Sequence, residues 1–198
     1  LLASCSGVQA PMKAIDDSRP LRSGSLAVIS GSYRSGDLLL AELVTRQLGN
    51  GNRFRVLSQQ DIARLVPEYP SVIDMQDSRQ IAEDDDRAIW FSPAGKAKLD
   101  AMQARLGVDY VLVLWVPKIT RETPISLKGG IFFHVYPVGN LIEYPAGRVL
   151  ASTRMHAGES LVWFTTRSKS SGERIENLID EAAEKICASL NETSAKIR

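Results

Sequence analysis

The chain has 198 residues, of which 44% are hydrophobic and 24% are charged, and this composition is typical of one globular domain with a short extension. The formal net charge is +1, so no excess of Lys or Arg predicts binding to nucleic acid. No apolar run reaches the length of about 18 residues that a membrane span needs, so we predict no transmembrane helix within the chain.

The first cysteine follows a short run of apolar and small residues, Leu-Ala-Ser-Cys at positions 2–5. This run resembles the lipobox of bacterial lipoprotein precursors, in which a signal peptidase cleaves before the cysteine and the thiol receives a diacylglycerol. The resemblance implies that residues 1–4 end a signal peptide and that Cys5 is the lipid attachment residue. Lipoproteins with Asp after the cysteine tend to stay at the inner membrane. Because Ser6 stands there, we predict the outer membrane, with the domain facing the periplasm.

The segment after Cys5 has the composition of a linker. Gly and Pro recur between positions 5 and 24, and no apolar period is sustained there. We therefore predict a lipidated cysteine and flexible tether over residues 5–24 and a single periplasmic domain over residues 25–198.

The first half of the domain alternates between strand and helix patterns. A short apolar run predicts a strand over 26–31, and an amphipathic pattern predicts a helix that ends at Leu48. Alternation predicts a strand at 54–56. Ser58 and Asp61 resemble a capping box, and Ser92-Pro93 is typical of an N-cap and first helical residue, with that helix ending at Leu106.

The second half contains strands followed by one long helix. Tyr110–Val116 is almost continuously apolar, which predicts a central strand closed by Pro117. The last helix has one apolar stripe that we expect to pack on the sheet. Further strands are predicted at Ile131–Val138, Leu141–Tyr144, Arg148–Arg154 and Leu161–Thr166, with turns at Gly139-Asn140 and Pro145–Gly147.

This order of elements predicts an α/β fold in which a mixed sheet is flanked by helices and a long C-terminal helix packs on the sheet. The helix beginning near Leu39, the segments 52–56, 60–62 and 107–113, and the paired strands of 141–150 resemble the TolB amino-terminal domain group, which includes the curli-secretion lipoproteins. The resemblance implies a non-enzymatic protein that binds partners and assembles envelope machinery. A curli-type pore needs two long amphipathic hairpins, and the region 131–154 is too short and irregular to supply them.

Residues that often carry chemistry are sparse and poorly spaced for catalysis. His134 and His156 have no Cys or His at metal-ligand spacing, and His134 alternates with Phe132 and Tyr136 as on one strand face. The acidic run Glu83–Asp86 lacks the alternate spacing and Gly turn of a calcium loop. We therefore predict no metal and no cofactor.

The junction between the first strand and first helix, residues 30–37, has a place where backbone N–H groups can bind an anion. It matches no Walker loop or dinucleotide fingerprint, so capping by Ser35 or Asp37 is the favoured interpretation.

The leading hypothesis is a lipid-anchored adaptor of the cell envelope that binds other envelope proteins, with no enzymatic activity. We name Trp163 and Phe164 as candidate partner-binding residues, because large aromatic side chains often anchor interfaces. Self-association into a homo-oligomer stays open. The alternatives are a lipid-anchored envelope hydrolase, which would recruit His134 with Asp109 or Glu143, and a subunit of an outer-membrane secretion complex.

Overall fold

The computed structural model describes residues 13–14, 21–51, 53–74, 91–122, 131–161 and 170–192. The strands in this part of the chain are β1 (Lys13–Ala14), β2 (Gly24–Ser30), β3 (Phe54–Val56), β4 (Tyr110–Glu122), β5 (Ile131–Glu143), β6 (Arg148–Arg154) and β7 (Ala157–Leu161). The helices are α1 (Ser35–Gly49), α2 (Gln59–Leu65), α3 (Pro93–Leu106) and α4 (Ser171–Glu192).

The described strands form one mixed sheet in the order β1-β6-β5-β4-β2-β3, and β7 pairs with the first part of β5. β2 lies parallel to β3 and β4, whereas the other pairs are antiparallel. β1 falls within the segment predicted as a tether and pairs with β6. The predicted fold class, a mixed sheet flanked by helices, is confirmed.

Helices cover both faces of the sheet where β2 and β4 pair. Leu112 and Leu114 of β4 join the core beneath α1 and α4, whereas Val111 and Val113 join the core beneath α2 and α3. Because both faces of the strand are dry, its sequence is a continuous apolar run rather than an alternating one. The prediction that this strand is central is confirmed.

The apolar stripe of α4 packs on the sheet as predicted, and α4 also contacts α1. Ile175 lies partly buried against the same core. The buried members, each at most 3% exposed, are Leu178, Ile179, Ala182, Ala183, Ile186 and Leu190.

The predicted N-terminal caps of α2 and α3 and the predicted end of α3 at Leu106 are also confirmed. Ser58 Oγ accepts a hydrogen bond from Asp61 N at 3.1 Å, and Ser92 Oγ accepts one from Gly95 N at 3.0 Å. Gly107 follows α3 with a φ of 60°, a left-handed conformation that glycine adopts without steric penalty.

The prediction that Pro117 closes the central strand is wrong, because β4 continues to Glu122. The register of β4 against β5 shifts between Trp115 and Lys118, as at a β-bulge. The missing N–H of Pro117 therefore falls where the hydrogen-bond ladder is already interrupted.

The prediction of a turn at Gly139-Asn140 is also wrong, since β5 runs unbroken from Ile131 to Glu143. Gly139 pairs with Leu114, and a Cβ at that position would lie 2.7 Å from Leu114 Cδ2. Glycine at position 139 therefore allows β5 to pack closely against β4. The strand predicted from Leu161 to Thr166 overlaps β7 at Leu161 alone, and residues 162–169 lie outside the described part.

Two side chains complete the outer edge of β2 where the short strand β3 ends. β3 pairs with β2 only as far as Leu26. Farther along, Gln59 Nε2 donates to Val28 O at 2.8 Å, and Ser30 N donates to Tyr69 Oη at 3.0 Å. The Tyr69 hydroxyl donates in turn to Gln59 Oε1 at 2.8 Å. Buried backbone groups of β2 are thereby satisfied without a longer neighbouring strand.

Because the apolar stripe of α4 is buried, shortening one of its side chains should destabilise the protein. Leu178→Ala removes a buried side chain and leaves a cavity, so the free energy of unfolding should fall by about 2–5 kcal/mol. Urea denaturation followed by circular dichroism measures this loss. Glu176→Ala on the exposed side of the same helix is the control and should change stability by no more than about 0.5 kcal/mol. Equal effects of the two variants would contradict the packing of this stripe.

Candidate functional site

The second half of β4 and the first half of β5 continue past the point where β2 stops pairing and form a three-stranded extension with β7. In this extension, residues 118–122 of β4 pair with 132–136 of β5, and β7 lies on the other side of β5. Phe133, Val135 and Ala157 point toward α4 and are buried. The extension therefore has one face in the core and one face turned away from α4.

A row of rings follows β5 on the face turned away from α4. Phe132, His134 and Tyr136 alternate along the strand and are half-buried, which confirms the prediction that they share one strand face. The ring centroids of Phe132 and His134 lie 6.4 Å apart, as do those of His134 and Tyr136. His156, just before β7, places its ring 4.8 Å from that of Tyr136, with the planes inclined by 17°.

The chain's two histidines meet on this face. His134 Nδ1 lies 2.8 Å from His156 Nε2, which is hydrogen-bond distance. The two residues are 22 positions apart, and their sequence spacing gave no sign of a pair. The pairing of β5 with β7 brings them together, and that register was not predictable from the residues.

The structure does not bring together the residues that the hydrolase hypothesis would recruit. Glu143 lies nine residues beyond His134 along β5, or about 30 Å in an extended strand, and it forms an ion pair with Arg148. Asp109 lies beside β2 and accepts hydrogen bonds from Ser25 N and Ser25 Oγ, each at 2.7 Å. These bonds hold the pKa of Asp109 below its ordinary value.

The predicted capping of α1 by Ser35 or Asp37 is wrong. The N-cap residue is Arg34, whose side chain makes no capping hydrogen bond. Asp37 is buried, and its Oδ1 accepts a hydrogen bond from Val116 N at 2.7 Å while its Oδ2 accepts one from Ser32 Oγ at 2.5 Å. The carboxylate therefore ties the β2–α1 connection to β4 at the bulge. An anion bound at this junction would face a buried carboxylate, which disfavours that hypothesis.

Two exposed apolar side chains border the first turn of α1 and the outer edge of β4. Tyr33, in the β2–α1 connection, is 69% exposed, and Ile119 of β4 is 43% exposed. Ile119 Cδ1 would lie 3.6 Å from a Cβ placed on Gly36, so it reaches the start of α1. Beyond Leu114, β4 has no strand neighbour on its β2 side among the described residues.

A shallow depression of about 490 Å³ lies near the start of β2 and is lined by Gly24, Arg53, Arg55 and Asp109 among others. Arg53 donates to the backbone oxygen of Leu190 at 2.7 Å and to that of Leu21, so it joins the end of α4 to the segment before β2. Arg53 and Asp109 of the depression are thus engaged within the protein.

Other predicted residues fall in different places. Cys187 is buried, and burial raises the pKa of its thiol to about 12. Cys5, Trp163, Phe164 and the run Glu83–Asp86 lie outside the described residues.

Among the described residues, no group of three or more His, Cys, Asp or Glu side chains is arranged to hold a metal ion. Across the same part of the chain, the helices are all too short or too polar to cross a lipid bilayer.

The sequence matches no protein-family model and no curated protein. A search of solved structures finds PelC from Paraburkholderia phytofirmans, a dodecamer, at 14% identity and a TM-score of 0.44, covering 93% of this chain and 96% of that one. Lipoprotein GNA1162 from Neisseria meningitidis is 13% identical with a TM-score of 0.47, covering 83% and 98%. A minor lipoprotein from Acinetobacter baumannii is 11% identical with a TM-score of 0.45, covering 90% and 95%. These values do not place the chain in any of their families, and the resemblance to the TolB amino-terminal group stays a prediction.

The burial of Cys187 predicts that its thiol is unreactive in the folded protein. The thiolate is the reactive form, and the raised pKa makes it rare, so alkylation by iodoacetamide at about pH 8 should be more than a hundredfold slower than in urea. Cys5→Ala protein isolates this thiol, because the chain has two cysteines. Since the pKa is raised by folding, the protonated thiol stabilises the fold below its ordinary pKa of 9.0, and this contribution declines as pH rises toward 12. Rapid labelling of the folded protein would contradict the buried placement.

Proposed function

We propose that this chain is a lipid-anchored protein of the bacterial envelope that acts by docking another protein rather than by catalysis. The anchor is a lipid on Cys5 at the outer membrane, and the domain faces the periplasm. The resemblance of positions 2–5 to a lipobox supports the anchor. The observation that carries the docking proposal is the outer edge of β4 beyond Leu114, together with Tyr33 and Ile119. We call this surface the β4 edge.

The β4 edge has the features that protein partners use. A strand with an open side offers backbone N–H and C=O groups to an added strand, and neighbouring apolar side chains supply affinity. One backbone group of this edge, Val116 N, is already taken by Asp37, so an added strand would pair farther along, on the stretch from Ile119 to Glu122. Tyr33 and Ile119 lie at the start of this stretch, beside α1.

The same edge carries charges that limit unspecific pairing. Lys118, Arg121 and Glu122 are exposed on the strand. Charged side chains on an open edge disfavour indiscriminate addition of strands and permit partners of complementary charge. The β4 edge is therefore suited to a selected partner. A second copy of this chain is one such partner, which retains self-association within the proposal.

The docking proposal predicts the effect of removing both apolar side chains. In Tyr33→Ala/Ile119→Ser protein, recovery of the crosslinked partner from native envelopes should fall at least about tenfold, because exposed anchors of this kind often contribute more than about 1 kcal/mol each. The melting temperature should stay nearly unchanged, since both side chains are exposed. Crosslinking with quantitative immunoblotting measures the recovery, and the mass of the product distinguishes a second copy from another protein.

Two exposed apolar residues away from the β4 edge provide a matched control. Leu65 and Val72 are 38% and 41% exposed, and the Leu65→Ser/Val72→Ser protein removes similar apolar area from the side of the sheet that carries α2. This control should crosslink as the unaltered protein does. If both double variants lose the product equally, or neither does, docking at the β4 edge is wrong.

The anchor proposal predicts that Cys5→Ala, in a precursor with a complete signal sequence, abolishes lipid attachment. Labelled palmitate should be absent from the variant, and the protein should stay unprocessed or leave the membrane fraction, because stable anchoring needs the acyl chains. Cys187→Ala is the matched control and should label normally. Undiminished labelling of Cys5→Ala protein would overturn the anchor.

A further inference from the structure

We propose that His134 and His156 form a binding site for a divalent transition metal ion of the class that prefers imidazole ligands, such as Cu²⁺, Zn²⁺ or Ni²⁺. The ring nitrogens His134 Nδ1 and His156 Nε2 lie 2.8 Å apart on the half-exposed face of the extension. This proposal does not rest on docking at the β4 edge or on the lipid anchor.

The two imidazoles face each other through their nitrogens. Their centroids lie 4.9 Å apart and their planes are inclined by 28°. Because the nitrogens are much closer than the centroids, the rings meet nitrogen to nitrogen rather than face to face. Both ring nitrogens are directed into the same small space. Either a proton or a metal ion must occupy this space, since two bare lone pairs would repel each other.

A glycine makes room for this arrangement. Gly158 of β7 pairs with His134, and a Cβ at Gly158 would lie 2.8 Å from His134 Nδ1 and 3.5 Å from His156 Nε2. Any larger residue would therefore displace the pair. The ring of Tyr136 lies against His156 at 4.8 Å and supports its orientation.

The other side of His134 offers a polar group. Thr120 of β4 pairs with His134, and its Oγ1 is buried with no hydrogen-bond partner among the described residues. A hydroxyl beside the ligands is suited to hold a water molecule bound to the metal. The two imidazoles leave further positions to water, so the site takes an exchangeable ion rather than a closed structural one.

The geometry requires only a small adjustment to accept an ion. Two imidazole nitrogens at about 2.0–2.1 Å from a tetrahedral metal lie about 3.3 Å apart. His156 is exposed, so its ring can move by this difference. The charged and titratable groups on the same face include Lys118 and Glu122 of β4, Tyr136 of β5, and Arg154 of β6, which pairs with Val138. The ammonium of Lys118 lies 4.9 Å from the centroid of the Tyr136 ring.

Isothermal titration with Cu²⁺ and Zn²⁺ tests the proposal on untagged Cys5→Ala protein. The chain has no other histidine, so the expected result is one ion per chain, with both imidazoles shifted in the NMR spectrum. Cu²⁺ should bind more tightly than Zn²⁺, in the order usual for nitrogen sites. Binding should weaken as the pH is lowered, because protons compete for the same nitrogens.

Three variants separate this site from unspecific binding. His156→Ala should weaken binding at least about tenfold, and Gly158→Ala should weaken it with both histidines retained. Asp61→Asn removes a surface carboxylate of α2 and should leave binding unchanged. Thermal melts confirm that each variant is folded. Two outcomes overturn the proposal: no measurable binding, in which case the pair merely shares a proton, or binding that His156→Ala does not alter.

Discussion

The long antiparallel ladder between β4 and β5 is the interaction on which the rest of the molecule depends. Each strand has 13 residues, and the pairing continues on both sides of the bulge between Trp115 and Lys118. Before the bulge, β4 lies between two layers of helices and forms the center of both cores. After it, the same two strands carry a face that no described helix covers. The part of this ladder before the bulge therefore lies in the core, and the part after the bulge carries the candidate sites.

Regular local signals made much of the fold predictable. The stripe of α4, the caps at Ser58 and Ser92, and the glycine after α3 all depend on contacts within a few residues of the chain. Those patterns have the same meaning in any protein. The buried strand was equally clear, because a strand covered on both faces must be apolar throughout.

The incorrect predictions concern residues whose role depends on a contact with a residue far away in the sequence. Gly139 has the composition of a turn, and only the approach of Leu114 explains its place within a strand. Pro117 ordinarily ends a strand, and only the bulge against β5 makes it tolerable. Asp37 stands where a cap is expected, but the amide of Val116 attracts it across the fold. The histidine pair could not be predicted from the sequence for the same reason, because strand register is a property of the assembled sheet.

The side chains that complete β2 make its edge depend on elements other than strands. Gln59 belongs to α2, and Tyr69 lies in the segment that follows it. If α2 opens by local unfolding, Val28 O loses its partner Gln59, and the Tyr69 hydroxyl that accepts from Ser30 N loses its own acceptor. An apolar strand with unpaired backbone groups is a template for aggregation. The seven residues of α2 therefore cover an edge that would otherwise offer backbone groups to another strand, a role larger than their small share of the core suggests.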